Sequence, residues 1–342
     1  MTKTILGRTG LTVCKDAFGA LPVQRCTMDD AVKILRKALD GGINFIDSAR
    51  GYTDSEEKIG IALSSRRDEY YIASKSNSKN GEEYKKHLET SLEKLKTSHI
   101  DIYQFHNPGF VPRPGEENGL YDAALEAKAQ GKIRFIGISY HKIHLAKEAV
   151  ESGLYDTLQF PLNYLSTDDE ISLVNLCKEK NVGFIAMKAL SGGLITDIFA
   201  ARAWLSQFSN VVPIWGIQRE SELELLLEAI NLNESYNAKH EERVVKDRQE
   251  LSGGFCRGCG YCLPCPAEIP ITLAARISLL MRRSPVVKFL EKEWQDTMAR
   301  IDNCQNCGHC IENCPYELDT PALLKSNYQW YSDYLSSSLK YP

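Results

Sequence analysis

The sequence predicts an α/β chain in series: a (β/α)8 barrel over residues 1–235, a linker or helix over 236–251, and a small, mostly helical domain over 252–342. Three observations predict it. Short apolar runs alternate with amphipathic stretches eight times in the first two-thirds. Run after run closes on a polar side chain. Eight of the eleven cysteines crowd into two short runs near the C-terminus.

The apolar runs are Ala17–Leu21, Ile43–Ser48, Tyr70–Lys75, Ile100–His106, Ile133–Ser139, Thr157–Asn163, Val182–Lys188 and Val211–Gly216. Between them lie helical patterns such as Ala31, Ile34, Leu35, Ala38 and Leu39, with the i, i+3, i+4 spacing of one buried face. Eight strands each followed by a helix argue for a closed parallel barrel, because each right-handed crossover covers the outside. A doubly wound open sheet is the alternative, weakened because no Gly-x-Gly-x-x-Gly turn follows an early strand. The leading segment Lys3–Val13 reads as a hairpin able to plug the barrel bottom. The runs end in Asp47, Lys75, His106, Ser139, Gln159 and Lys188, and in such a barrel the C-terminal strand ends form the active-site rim.

The first cysteine run is Cys256, Cys259, Cys262 and Cys265, followed by Pro266. The second is Cys304, Cys307, Cys310 and Cys314, followed by Pro315. Short gaps wrap three thiolates around one cubane and the last step sends the fourth to another, as in two-cluster ferredoxins. Zinc is the alternative, but zinc modules place their two Cys pairs further apart. The helical pattern between the runs (Leu273, Ile277, Leu280, Met281, then Val287, Leu290, Trp294, with Pro285 as a break) fits an α-helical ferredoxin-like domain. Cys14, Cys26 and Cys177 read as buried, inert thiols.

The totals exclude other classes. The net charge of −4 and the lack of a basic stripe argue against nucleic acid. No apolar stretch approaches the roughly 20 residues that cross a bilayer. The chain begins directly in folded-looking sequence, and free thiols in such number need a reducing compartment, so a cytoplasmic location is expected.

The segment from Asp47 through Tyr52, Ser55 and Glu56 to Gly60 resembles the signature of the aldo-keto reductases. Ile-Ala-Ser-Lys75, Asp-Ile-Tyr-Gln-Phe-His106-Asn and Gly131-Lys-Ile-Arg-Phe-Ile-Gly-Ile-Ser139 agree with it in order. The whole arrangement resembles the subgroup with a C-terminal iron–sulfur region. The resemblance implies a TIM barrel that binds a nicotinamide cofactor without a Rossmann fold. It implies hydride transfer between NADP(H), or NAD(H), and a carbonyl or alcohol carbon. Tyr52 would then be the general acid/base, Lys75 would lower its pKa, Asp47 would hold Lys75, and His106 would orient the substrate oxygen.

For the cofactor the resemblance implies Ser139 and Gln159 at the carboxamide, and Met187 with Lys188 beside the nicotinamide ring. Gly192, Gly193 and Leu194 would lie at the pyrophosphate. Gly216, Gln218, Arg219 and Glu222 would lie at the adenosine end, where Gly216 and Glu222 stand at the places of the family's Lys and Arg for a 2′-phosphate and Arg219 and Gln218 would compensate. The ferredoxin resemblance implies two 4Fe–4S clusters, one on Cys256, Cys259, Cys262 and Cys314, the other on Cys304, Cys307, Cys310 and Cys265. The loop 107–119 is a candidate lid, with Tyr140, His141, Tyr164 and Trp215 at the mouth of a site for a small, sugar-like substrate. Hydride carries two electrons and a cubane one, so a second reading is open. In it the chain is an electron-transfer protein whose barrel binds the nucleotide and which couples to a ferredoxin or flavoprotein.

Overall fold

The computed structural model describes residues 1–251, 254–283 and 286–338. They divide into two compact units. The first comprises Met1–Ala189 with Asp197–Glu242, the second Leu190–Thr196 with Arg243–Pro342. The expected break at Pro285, the domain start at 252 and the tail beyond Ser338 lie outside the described residues.

In the first unit, β1 (Lys3–Ile5) and β2 (Thr12–Cys14) form an antiparallel hairpin. Then eight strands close a parallel barrel: β3 (Ala17–Gly19), β4 (Phe45–Asp47), β5 (Tyr71–Ser76), β6 (Ile100–His106), β7 (Ile133–Ser139), β8 (Thr157–Pro161), β9 (Gly183–Met187) and β10 (Val211–Gly216), with β10 pairing back to β3. The helices of the outer layer begin with α1 (Met28–Asp40), α2 (Ser55–Leu63) and α3 (Gly81–Leu95). Helix α1 is capped by Thr27, whose hydroxyl accepts from Asp30 N, and its apolar positions are buried as the spacing requires. The outer layer continues through α4 (Leu120–Ala129), α5 (Ile143–Glu151), α6 (Asp168–Glu179), α7 (Ile198–Ser206) and α8 (Glu220–Leu232).

Side-chain parity positions the site. Phe45, Ala73, Ile102, Ile185, Val212 and Ile214 form the barrel core with Leu6, Leu11 and Val13 of the hairpin segment. Successive strand side chains alternate faces, so positions two or four further along point inward at the C-terminal end: Asp47, Lys75, Gln104, His106 and Met187. The hairpin closes the opposite end. Its Arg8 donates to Lys180 O at 2.7 Å and to Gly153 O at 3.2 Å, both in loops that feed strands. Leu6, Leu11 and Val13 are almost fully buried, which is worth about 1.5–3 kcal/mol each.

Gly60 has a steric role. A Cβ there would lie 2.1 Å from Lys94 O and 2.8 Å from Leu95 C, so α2 passes α3 in backbone contact. Gly60→Ala is expected to destabilise the fold by at least the 1–3 kcal/mol typical of overpacking. An unchanged urea midpoint would contradict this.

The second unit is helical, including α9 (Ala238–Glu250, within which the division falls), α10 (Ile271–Ala274), α11 (Ile277–Arg283), α12 (Lys292–Ala299), α13 (His309–Glu312) and α14 (Thr320–Ser338). Ile269, Ile271, Ile277, Met281, Phe289, Met298, Ile301, Leu324 and Tyr331 build its core, with Cys262 among them. Leu190–Thr196, which the sequence reading left in the barrel, packs with this unit.

Candidate active site and metal centres

Four side chains meet at the C-terminal end of the barrel. Lys75 Nζ donates to Asp47 Oδ1 at 2.7 Å and to Ser48 O at 2.6 Å, and both side chains are buried. The same ammonium lies 5.1 Å from the centroid of the Tyr52 ring. The His106 ring stands edge-on to Tyr52, with centroids 5.9 Å apart and planes at 85°. Tyr52 sits in the turn before α2, where Ser55 N donates to Tyr52 O at 2.8 Å. The signature residues Ser55 and Glu56 lock that turn. Ser55 Oγ donates to Ala20 O at 3.0 Å, and buried Glu56 accepts from Ser74 Oγ at 2.6 Å and pairs with Arg50.

One residue was missed in the sequence. Gln104 Nε2 donates to Asp47 Oδ2 at 3.3 Å and to Gln159 Oε1 at 2.9 Å, while Gln159 Nε2 donates to Asp47 Oδ1 at 3.3 Å. Two amides thus brace the carboxylate from below. The available signal was parity, since Gln104 is two residues from both Ile102 and His106. Gln159 keeps one amide hydrogen and one lone pair beyond these bonds.

The expected lowering of the Tyr52 pKa is corrected. Burial first, and the Asp47 charge second, push the phenol above its ordinary value. Lys75 does not offset this because Asp47 cancels most of its field at 2.7 Å. Within that pair, burial pushes the carboxyl up and the ammonium down, each opposed by the other. Burial, with Lys75 second, pushes His106 down to about 3. The resting site therefore holds a neutral phenol and a neutral imidazole.

The cofactor positions fare unevenly. Ser139 is buried, accepts from Asn107 N at 3.2 Å and donates to Phe105 O at 3.3 Å. Met187 and Lys188 are half-buried at the end of β9, Lys188 with φ 62°. Ser191, Gly192 and Gly193 follow with φ 48°, 65° and 92°, a left-handed run that favours glycine. Open space faces Gly193, but its N–H already donates to Leu190 O at 2.9 Å, and Leu194 is buried. Gly216 is exposed at the end of β10. Glu222 caps Gln218 N at 2.8 Å and Arg219 N at 3.1 Å, and grips the Arg219 guanidinium at 2.8 and 3.0 Å. Arg219 is therefore not a free cation for a 2′-phosphate.

The expected mouth is also corrected. Trp215 neighbours inward-facing Ile214 on β10, so it points to the helices, where its Nε1 donates to Asp16 at 3.0 Å. Tyr140 is buried and donates to Phe110 O at 2.7 Å, and Tyr155 donates to Pro112 O at 2.5 Å. These two phenols pin the loop expected to be a lid. Tyr164 is fully buried. Burial, then Lys188 and His106, push buried His141 well below its usual pKa, so it is neutral.

In the second unit, one pocket is lined by Cys262, Cys265, Cys304, Cys307 and Cys310. A second is lined by Cys256, Cys259, Cys262, Cys310 and Cys314. Among the described residues no three His, Cys, Asp or Glu side chains close on a single ion. Cys262 and Cys310 line both cavities. His309 also lines the first, and its Nε2 is buried without a partner, an orphan donor suited to a sulfur acceptor. Gly258 N–H donates to Cys256 Sγ at 3.4 Å. Burial, then the Cys256 and Cys259 thiols, push Cys262 up to about 12. Such thiols ionise only against bound metal charge. The donors fit iron–sulfur clusters.

The described Aldo/keto reductase family matches residues 17–242, and a 4Fe-4S dicluster domain matches 255–319. The chain is similar to L-galactose dehydrogenase of Arabidopsis thaliana, 32% identical over 211 residues, covering 56% of this chain. It spans 66% of that relative, just under two thirds. It is also similar to 6-dehydroglucose reductase of Novosphingobium aromaticivorans, 30% identical over 154 residues, or 39% of this chain and 50% of the other. An aldo-keto reductase structure from Bacillus halodurans in its holo form superposes with a TM-score of 0.64 at 22% identity, over 72% of this chain and 96% of that one. No described helix is long and apolar enough to cross a membrane. With its closed barrel and its cysteine-lined cavities, the chain belongs to the aldo/keto reductase family, in the subgroup that carries a C-terminal 4Fe–4S dicluster domain.

Proposed function

We propose that the barrel interconverts a carbonyl and an alcohol with a nicotinamide dinucleotide, Tyr52 acting as general acid/base. The carrying observation is the 2.7 Å Lys75–Asp47 pair with its ammonium 5.1 Å from the Tyr52 ring centroid and His106 edge-on to that ring. The bound cofactor supplies or accepts hydride. Tyr52 holds the proton for the developing alkoxide oxygen, and its raised pKa keeps that proton in place until the substrate arrives. His106, neutral, donates a hydrogen bond to the same oxygen. Ser139 and Gln159 orient the carboxamide. Met187 and Lys188 flank the ring, and Gly192, Gly193 and Leu194 follow the pyrophosphate. The names of the two sugar-acting relatives support a sugar-like substrate. The test is anaerobic NADH and NADPH oxidation against a sugar and carbonyl library. No turnover with any member defeats the proposal.

For the dinucleotide, the Arg219–Glu222 pair favours NAD(H) over the NADP(H) read from the sequence. An exposed pair is worth about 0–1 kcal/mol, so a phosphate can break it. Glu222 stays, held by two backbone N–H groups, and repels the phosphate. Glu222→Gln keeps an oxygen for the cap and frees Arg219. We expect it to tighten NADPH about tenfold relative to NADH, measured by fluorescence titration. An unchanged ratio would remove Arg219 from the adenosine end.

The clusters are proposed on Cys256, Cys259, Cys262 and Cys314, and on Cys265, Cys304, Cys307 and Cys310. Iron and sulfide counts after anaerobic purification test this, and a zinc-loaded, colourless protein would refute it. One observation favours the second reading, electron exchange with a ferredoxin or flavoprotein. Cys307 is exposed, so the cavity it lines has an edge at the surface. In that reading Cys259→Ala stops ferredoxin-driven turnover and spares turnover driven by reduced nicotinamide. The chemistry of such a protein is expected in the cytoplasm.

A further inference from the structure

Arg276 is a buried cation with an unusual set of partners. It is 7% exposed. Its Nε donates to Thr272 O at 2.8 Å and its Nη1 to Gly192 O at 3.2 Å. Among the described residues no carboxylate pairs with it. A guanidinium buried without a counter-charge costs several kcal/mol, so a negative group is expected beside it. The groups close enough to favour its charge are Cys256 and Cys259. A Cβ on Gly258, between those two cysteines, would lie 2.9 Å from the guanidinium carbon. All these residues lie in the second unit.

We propose that Arg276 is the counter-ion of the cluster held by Cys256, Cys259, Cys262 and Cys314, and that through Gly192 it couples the charge of that cluster to the Leu190–Thr196 loop. The proposal rests on the cluster and dinucleotide readings above. When the cluster takes up one electron from a reductant, it gains one negative charge and no bond is made or broken. The guanidinium is then drawn harder to sulfur, and its bond to Gly192 O weakens. That carbonyl belongs to the left-handed run assigned to the pyrophosphate, so reduction loosens the nucleotide. Linkage requires the converse by the same factor: bound nucleotide makes the cluster harder to reduce. The electron-count mismatch then disappears, because the cluster senses redox state and need not relay hydride electrons.

The test uses the full chain, purified anaerobically, with ADP as a pyrophosphate probe that cannot be reduced. Iron and sulfide counts and ADP calorimetry on the wild type come first. Missing iron defeats the cluster reading, and absent ADP binding defeats the loop assignment. Dithionite titrations followed by electron paramagnetic resonance then give two midpoint potentials. In Arg276→Gln one midpoint is expected to fall by about tenfold in the reduction constant, or about 59 mV for one electron, while the other stays. In the wild type, ADP is expected to lower that same midpoint about fivefold in the reduction constant, and Arg276→Gln is expected to remove the response. Gly192→Ala, whose methyl would lie 2.9 Å from Arg276 Nη1, is expected to keep both clusters and lose the ADP response. If Arg276→Gln does not hold iron, Arg276→Lys is measured, and it should keep the midpoint. Two unmoved midpoints in Arg276→Gln, equal shifts of both, a moved midpoint in Arg276→Lys, or a full ADP response in Gly192→Ala would overturn the proposal.

Discussion

Tyr52→Phe is expected to slow carbonyl reduction by about 10²–10⁴-fold, the usual contribution of a positioned general acid, with dinucleotide affinity nearly unchanged. The ring keeps its edge contact with His106 and its place beside the Lys75 ammonium. Only the proton is lost. Single-turnover rates and a binding titration on the same preparation separate the two effects. A variant that binds and still reduces at wild-type rate would leave Tyr52 a packing residue. The pH profile provides a second check. Tyr52 is pushed above its ordinary phenol value and His106 down to about 3, so neither changes charge near neutrality. The reduction rate should be flat from about pH 5 to 9, whereas free groups at about 6.5 and 10 would each bend it. Stability has the opposite exposure to acid. His106 resists protonation in the folded chain and accepts it near 6.5 when unfolded, so folding free energy is lost as pH falls from about 6.5 towards 3.

Lys75→Met is expected to cost about 3–5 kcal/mol of stability, the penalty for leaving a buried charge unpaired. Asp47 would keep only the two long amide bonds, at 3.3 Å each, from Gln104 and Gln159. Reduction should fail as well, because the carboxylate then faces Tyr52 uncompensated and raises the phenol further. Adding Asp47→Asn removes the stranded charge, so the double variant should recover much of the stability and none of the activity. Urea melts of the two singles and the double measure the coupling. If Lys75→Met alone melts like the wild type, the pair is not the buried, mutually dependent unit described here.

The eight strands were legible because each is a short apolar run, and six of the eight close on a polar residue. Ile100–His106, Ile133–Ser139 and Val211–Gly216 fall where the sequence placed them, while the runs at 17–21 and 157–163 were read too long. Their position at the strand ends then carried Asp47, Lys75 and His106 to one end of the barrel without any coordinates. Gln104 lies two residues before the end of its run and needed strand parity as well. It was overlooked because an amide inside an apolar run reads as packing.

Local sequence thus determined the barrel, the cysteine-lined second unit and the polar residues at the strand ends, since period and spacing are properties of neighbours along the chain. Tertiary structure alone decided the upward push on the Tyr52 phenol, the capture of Arg219 by Glu222, the pinning of the 107–119 loop and the burial of Arg276 beside Gly258. Each of these depends on desolvation and on charges or carbonyls brought within a few ångströms by folding. An electrostatic field is set by distance in space, and separation along the sequence does not encode it.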